Sequence, residues 1–375
     1  MPAHLPERVG RRGMSQPAAL RLVDVTKRYP AGYTVGPVSL EIGKGEFFSL
    51  LGESGSGKTT LLRCIAGFET LTAGTIALGG EPIHTRPPHL RNVGLVFQNY
   101  ALFPHRTVYE NVAYGLKLRK RPPAEIAERV GRILEMVGMP DLGGRYPSQI
   151  SGGQQQRVAI ARSLILEPPL VLFDEPLSNL DAKLRVQLRF ELRALQRRLG
   201  MTCIFVTHDQ SEALALSDRI AVLAKGQVVQ VGSPTDIYQR PNSLFVAEFV
   251  GSSNRLPATL EHADQDGSHV RTLGGLALQS SARTQADTVR LVAMFRPEEV
   301  EILPSSVTEA PNRFACEIAD LTYLGEDTHL QLIARASGER LLATFKSHRR
   351  WAGLAAGDEV VAAIDPAAVR LFGGP

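Results

Sequence analysis

Gly52-Glu53-Ser54-Gly55-Ser56-Gly57-Lys58-Thr59 has the residue types and spacing of a loop that wraps nucleotide phosphates. Glycines let backbone N–H groups converge on phosphate oxygens; Lys58 would pair with the β and γ phosphates, and the Thr59 hydroxyl would ligate Mg²⁺. The flanks supply the context this chemistry needs. Phe47 to Leu51 reads as a short buried strand, and after Thr60 the residues Leu61, Leu62, Ile65 and Ala66 recur at helical spacing. A chance glycine-rich turn would lack that strand-to-helix setting. ATP or GTP binding follows from this segment alone.

Further along, the apolar run Leu170–Phe173 delivers two adjacent carboxylates, Asp174 and Glu175. Such a pair divides labour: Asp174 suits the Mg²⁺ shell, and Glu175 is placed to polarise a water for in-line attack on a γ-phosphate. His208 follows the run Cys203–Val206 through Thr207, and Gln98 follows Val96-Phe97 at the end of another apolar run. Singly, these are ordinary turn or surface residues. In open α/β sheets, however, ligands gather at the carboxyl ends of the strands, so all of these residues should face one site. Gln98 would then contact the Mg²⁺ or the attacking water. Ser151-Gly152-Gly153-Gln154 precedes a helix bearing Val158, Ala161, Leu164 and Ile165. Ser151 suits its cap and the glycines leave N–H groups open to an anion, although a plain helix cap has the same composition.

The elements that must hold these residues are legible as two domains. A chain of 375 residues predicts two or three. Residues 19–240 alternate strand and helix patterns, an α/β P-loop nucleotide-binding domain with a helical insert at about 99–150, where Val108, Val112 and Leu116, then Ile126, Val130, Ile133, Leu134 and Val137, are spaced for helices. Residues 241–375 read as an all-β domain with strands at Val289–Ala293, Ala315–Ile318, His329–Ile333, Leu341–Phe345 and Glu359–Ile364, short enough for a small barrel. Asp264-Gln265-Asp266-Gly267 signals a hairpin there, and Gly274-Gly275 a second turn.

Residues 1–18 contain Arg8, Arg11 and Arg12 but no apolar core, which excludes a secretory signal; they read as a disordered extension, with Met14 an alternative start. No apolar run approaches the ~20 residues that span a bilayer. Cys64, Cys203 and Cys316 are few, scattered and odd in number, which fits a reducing compartment. A net charge of +4 without a basic tract gives no reason to expect a nucleic-acid partner. Arg185, Arg189, Arg193, Arg197 and Arg198 share a predicted helix with Leu184, Leu188, Leu192, Leu195 and Leu199, which predicts an amphipathic helix with a solvated basic face.

Together these residues resemble the ATP-binding cassette family from about residue 20 to the C-terminus. The order is P-loop, glutamine loop at Gln98, signature at Ser151-Gly152-Gly153-Gln154, Asp174-Glu175, Ser178-Asn179-Leu180-Asp181, then His208. In that family the signature of one subunit closes over ATP held by the P-loop of another, so the resemblance implies a homodimer sandwiching two ATP molecules with Mg²⁺. It implies that Glu175 is the catalytic base, that His208 contacts the γ-phosphate, that Asp181 lies at the dimer seam, and that Tyr29 stacks on adenine, with Tyr33 the weaker candidate. Ile150, Glu53 and Ser56 depart from the usual leucine, proline and frequent cysteine. None removes a phosphate ligand, but the charge of Glu53 bears on nucleotide affinity.

Phe295-Arg296-Pro297-Glu298 and Tyr323-Leu324-Gly325-Glu326 resemble the oligomer-binding-fold (TOBE) tail of bacterial importer ATPases. Gly45-Glu46 and Tyr100-Ala101-Leu102-Phe103-Pro104-His105 resemble the polyamine and iron branches. The resemblance therefore implies the ATPase subunit of a solute importer, peripheral on the cytoplasmic face of the plasma membrane. It would dock on two permease subunits and be served indirectly by an extracytoplasmic solute-binding protein. The expected solute is a polyamine such as spermidine or putrescine, with ferric iron, sugar or phosphonate as alternatives. A soluble cassette ATPase acting on nucleic acid or ribosomes would carry paired cassettes or a long coiled coil, neither of which is visible. A P-loop kinase or GTPase would need neither the signature nor His208.

Overall fold

The computed structural model describes residues 18–283, 290–304, 310–347 and 353–374. The expected N-terminal extension lies outside them apart from Ala18, as does Val289 of the first expected tail strand. The chain divides into two units, Met1–Arg240 and Pro241–Pro375.

The first unit is built on a six-stranded sheet in the order Gln227–Gly232, Arg219–Ala224, Phe47–Gly52, Cys203–Thr207, Leu170–Asp174, Val93–Val96. All neighbours are parallel except the edge strand Gln227–Gly232. A parallel sheet covered on both faces needs apolar residues on both, which is why these strands read as uninterrupted hydrophobic runs. Alternate residues go to opposite sides. Phe47, Val171, Phe173, Cys203 and Phe205 pack with the helices Val108–Leu118, Pro123–Met136, Gly152–Leu164 and Ala182–Leu199. Phe48, Leu50, Leu170, Leu172, Ile204 and Val206 pack with the helix Lys58–Ala66 and a four-stranded antiparallel sheet, order Thr34–Gly43, Ala18–Arg28, Ala73–Leu78, Glu81–Pro82.

The helix starts follow local chemistry. Thr107 and Glu110 form a reciprocal capping box at the start of Val108–Leu118, whose Val108, Val112 and Leu116 are buried as their spacing predicts. At the other end of the helix Lys58–Ala66, the buried guanidinium of Arg91 acts as a cap. It donates to the carbonyls of Cys64 (2.6 Å) and Ile65 (2.9 Å) in the last turn, and to those of Arg86 (2.8 Å) and His84 (2.9 Å). One planar fork thus closes orphan helix carbonyls and ties the phosphate-loop helix to the loops ahead of the strand Val93–Val96.

The helix Ala182–Leu199 keeps the expected solvated basic face only in part, at Arg197 and Arg198, which are exposed. Leu188, Leu192 and Leu195 are buried as expected, but Arg185 lies 3.5 Å from Asp209 and 3.8 Å from Glu212, and Arg193 pairs with Asp218 at 2.5 Å with its side chain only 16% exposed. The reason is the packing of the following strand–helix segment, whose acidic residues the one-helix pattern could not reveal.

The second unit is all-β. One five-stranded antiparallel sheet runs Ala277–Ser280, Ser268–Thr272, Asn254–Ala263, Leu291–Phe295, Arg370–Gly373; the other runs Val300–Pro304, Glu359–Ile364, Arg313–Tyr323, Asp327–Ala334, Arg340–Lys346. Both feed one core that includes Val270, Phe295, Ile318, Leu332 and Ala362. Asp264 donates its N–H to the Gly267 carbonyl (2.9 Å), closing the hairpin that Asp266-Gly267 signals. Arg296 is buried and donates to the Ala247 and Ser252 carbonyls and to Ser253 Oγ, which accounts for an arginine in the Phe295–Glu298 segment.

Arg91→Ala removes the donor to four carbonyls and should destabilise the first unit by about 2–3 kcal/mol. The check is urea unfolding followed by helical circular dichroism. Arg91→Lys should recover only part of the loss, because one ammonium cannot serve all four acceptors.

Candidate active site

The strand Phe47–Gly52 turns into the helix Lys58–Ala66 through a loop with Gly55 at φ 80° and Gly57 at φ 102°, the left-handed region that favours glycine. Space confirms the choice at Gly52, where a Cβ would sit 2.4 Å from the Leu223 carbonyl and 2.6 Å from Ser56 Oγ. Gly57 caps the helix without a side-chain acceptor, so the first-turn N–H groups are left for an anion. Ser56 Oγ is buried without a hydrogen-bond partner among the described residues, a second polar group waiting in the same loop.

Lys58 is 4% exposed and its Nζ donates to the carbonyls of Gly52 (2.8 Å) and Glu53 (2.8 Å). Burial lowers its pKa, opposed by the nearby carboxylates Glu175 and Asp174. The Glu53 side chain is exposed. Thr59 Oγ1 donates to Asp174 Oδ1 at 3.2 Å. Burial raises the pKa of Asp174, outweighing the Thr59 hydrogen bond and the pull of Arg63. A hydroxyl and a half-buried carboxylate facing one another are a hard-oxygen pair suited to Mg²⁺.

Next in the chain, Glu175 sits at φ 44°, a left-handed conformation that is costly for a glutamate. Its N–H donates to the Val206 carbonyl (3.1 Å), and its Oε2 lies 3.0 Å from His208 Nδ1. The register Asp174↔Val206 and Leu51↔Thr207 brings the ends of three strands side by side, and with them Lys58, Asp174, Glu175 and His208. Gln98, two residues beyond the strand Val93–Val96, has its Nε2 3.3 Å from Ser178 Oγ, while Asn179 Nδ2 donates to the Gln98 carbonyl at 2.9 Å.

Tyr29 lies beside the loop, its hydroxyl 3.5 Å from Thr60 Oγ1 and its ring stacked 6.3 Å from that of Tyr33. Tyr33, the weaker candidate from sequence, donates to the Gly55 carbonyl at 2.5 Å and so braces the loop. Ser151 caps the helix Gly152–Leu164: Ser151 Oγ accepts from the Gln154 N–H, and Gln154 Oε1 accepts from the Ser151 N–H at 2.9 Å. Asp181 caps the next helix by accepting from the Leu184 N–H at 2.9 Å. Among the described residues no hydrogen bond or ion pair joins Ser151, Gly152, Gly153, Gln154 or Asp181 to the phosphate loop.

Sequence reasoning missed the braces. Ser178 holds both Gln98 and the Glu175 carbonyl, the latter at 2.9 Å. Arg162 donates to the carbonyls of Ala101 (2.7 Å) and Tyr100 (2.9 Å), two residues held at φ 48° and 60° just after Gln98. The available signal was an arginine among Val158, Ala161, Leu164 and Ile165 on a largely buried helix.

Family comparison matches residues 35–178 to the ABC transporter family and residues 293–372 to the TOBE domain. The spermidine/putrescine import ATP-binding protein PotA of Rubrobacter xylanophilus is 45% identical over 371 residues, 98% of this chain and 97% of that protein. The chain belongs to the ABC transporter import ATPases. Sulfate/thiosulfate import ATP-binding protein CysA 2 of Chromobacterium violaceum is 49% identical, covering 82% of this chain and 81% of that one. Fe(3+) ions import ATP-binding protein FbpC 2 of Rhizobium meliloti is 44% identical, covering 84% and 81%. Among solved structures, cbiO1 of Clostridium perfringens superposes with a TM-score of 0.56 at 30% identity, covering 62% of this chain and 92% of that one. The cassette MJ0796 bound to ADP and Pi gives 0.51 at 34%, covering 57% and 98%. As an ABC import ATPase this chain binds and hydrolyses ATP, with an α/β P-loop unit and an all-β TOBE unit.

The raised pKa of Asp174 sets a pH prediction. The nucleotide-free native state holds the Asp174 proton more tightly than the unfolded chain does, so its contribution to stability falls as pH rises through the carboxylate range. Nucleotide-free Asp174→Asn should therefore melt above the parent at pH 7 and converge with it as pH falls through that range. The same variant should lose most of the thermal stabilisation that ATP with Mg²⁺ gives the parent; a nucleotide-free variant that melts below the parent at pH 7 would refute the reading.

Proposed function

We propose that the chain powers polyamine uptake, spermidine or putrescine, from the cytoplasmic face of the plasma membrane. In this reading it works as a homodimer on two permease subunits fed by an extracytoplasmic binding protein. The observation that carries the enzymology is the single strand edge on which Lys58, Thr59, Asp174, Glu175 and His208 meet. The polyamine assignment is supported by the near full-length likeness to PotA; likenesses of similar identity to CysA and FbpC do not decide it, since an ATPase subunit need not touch the solute.

The residues divide the work as follows. The phosphate loop Gly52–Thr60 receives the phosphates on its N–H groups, Lys58 exchanges two carbonyls for β and γ oxygens, and Tyr29 stacks on adenine. Mg²⁺ held by Thr59, Asp174 and Gln98 would neutralise phosphate charge. Glu175 takes the proton of the attacking water as the new O–P bond forms and the bond to ADP breaks. His208, oriented through Nδ1 on Glu175, presents Nε2 to the γ-phosphate. Ser151, Gly152, Gly153 and Gln154 of one chain close over the nucleotide of the other, with Asp181 at the seam; this fits their lack of ties to the loop of their own chain.

Glu175→Gln should cut hydrolysis by at least ~100-fold while ATP is retained and closed dimer accumulates on gel filtration. Hydrolysis at the parental rate would remove Glu175 as the base. For the solute, a strain lacking this gene should lose spermidine or putrescine uptake and keep sulfate and ferric iron uptake; the opposite pattern would reassign the importer.

A further inference from the structure

The Asp264–Gly267 hairpin carries a constellation that the ATPase reading does not use. His262 and His269 are directly opposed across the pair of strands, their rings stacked with centroids 4.2 Å apart and planes 10° apart. A register shift between Leu260 and His262 makes this opposition possible, since the extra residue at Glu261 re-aims the strand just before the turn. Both Nε2 atoms face one oxygen, Asp264 Oδ2, at 3.6 Å from His262 and 3.3 Å from His269.

The carboxylate is held for that purpose by the turn. Asp264 Oδ1 accepts the Asp266 N–H at 2.9 Å and the Asp264 N–H donates to the Gly267 carbonyl at 2.9 Å, which leaves Oδ2 to the imidazoles. Gly267 fixes the tip: at φ 133° a Cβ would stand 2.0 Å from the Ser280 carbonyl oxygen.

We propose that His262, Asp264 and His269 form a binding site for a divalent transition-metal ion of the zinc class. Two imidazole nitrogens and a carboxylate oxygen, all within 4.8 Å of one another, are the borderline donor set such ions take. With metal–ligand bonds of about 2.0–2.2 Å, neighbouring ligands of a tetrahedral ion stand ~3.4 Å apart, close to the two nitrogen–oxygen separations here. The fourth position opens to water, because His262 and Asp264 are exposed. Mg²⁺ and Ca²⁺ prefer all-oxygen shells and should not compete.

The test is calorimetric titration of the full-length protein with Zn²⁺ in metal-free buffer. The parent should bind one Zn²⁺ that the His262→Ala/His269→Ala double variant loses, and Asp264→Asn should weaken it at least tenfold. His208→Ala should keep this zinc, separating it from the active-site imidazole. Should the double variant fail to fold, His262→Gln alone must still weaken binding tenfold or more. A parent that binds no zinc, or variants that bind it with unchanged stoichiometry and affinity, would show the cluster to be an ion pair only and overturn the proposal.

Discussion

A buried ammonium that, among the described residues, two peptide carbonyls hold governs this active site. Lys58 is nearly inaccessible and loses hydration that the Gly52 and Glu53 carbonyls replace only in part. The two carboxylates that oppose the burial effect, Glu175 and Asp174, stand together at the end of the strand Leu170–Asp174. A polyanionic phosphate chain would oppose the ammonium's charge, and the uncapped helix start and the Ser56 hydroxyl without a partner among the described residues lie in the same loop. Electrostatics thus favours an anion at this loop, and by linkage an anion bound there stabilises the folded state.

The site also contains strained backbone. Glu175, Tyr100 and Ala101 all occupy left-handed conformations, and each is held by named contacts: Val206 and Ser178 for Glu175, Arg162 for the other two. Strain held in this way points to function, and here it falls on the proposed base, Glu175, and just after Gln98. Gln98 is tethered through Ser178 and Asn179 to the segment that leads into Asp181. Ser178 and Asn179 therefore give Glu175 a short covalent and hydrogen-bonded route to Gln98 and the segment that follows it.

Much of this was legible in the sequence because the chemistry requires contiguous residues. The phosphate loop, Asp174-Glu175 and the strand before each are local patterns, and parallel strands that share one edge bring them together without long-range knowledge. The helical segments were legible from 3.6-residue spacing, as at Val108, Val112 and Leu116. What stayed hidden was pairwise and distant. The acidic partners of Arg185 and Arg193, the four carbonyls gathered by Arg91, and the grip of Arg162 on Tyr100 and Ala101 depend on which surfaces meet, and a single helix pattern cannot report that. In the all-β unit the strands Asn254–Ala263, Ser268–Thr272, Ala277–Ser280, Val300–Pro304 and Arg370–Gly373 went unassigned; four of them span only four or five residues, and short β runs carry weak periodic signal.

The central claim is that one catalytic site takes its phosphate loop from one chain and its Ser151–Gln154 lid from another. The direct measurement is ATP turnover in a mixture of two inactive variants, Lys58→Ala and Ser151→Arg, with mixed dimers verified by differential tagging. In a mixed dimer, the Lys58→Ala chain still offers an intact lid to the intact loop of the Ser151→Arg chain, so turnover should rise well above that of either variant alone. Verified mixed dimers with no gain in turnover would contradict the account.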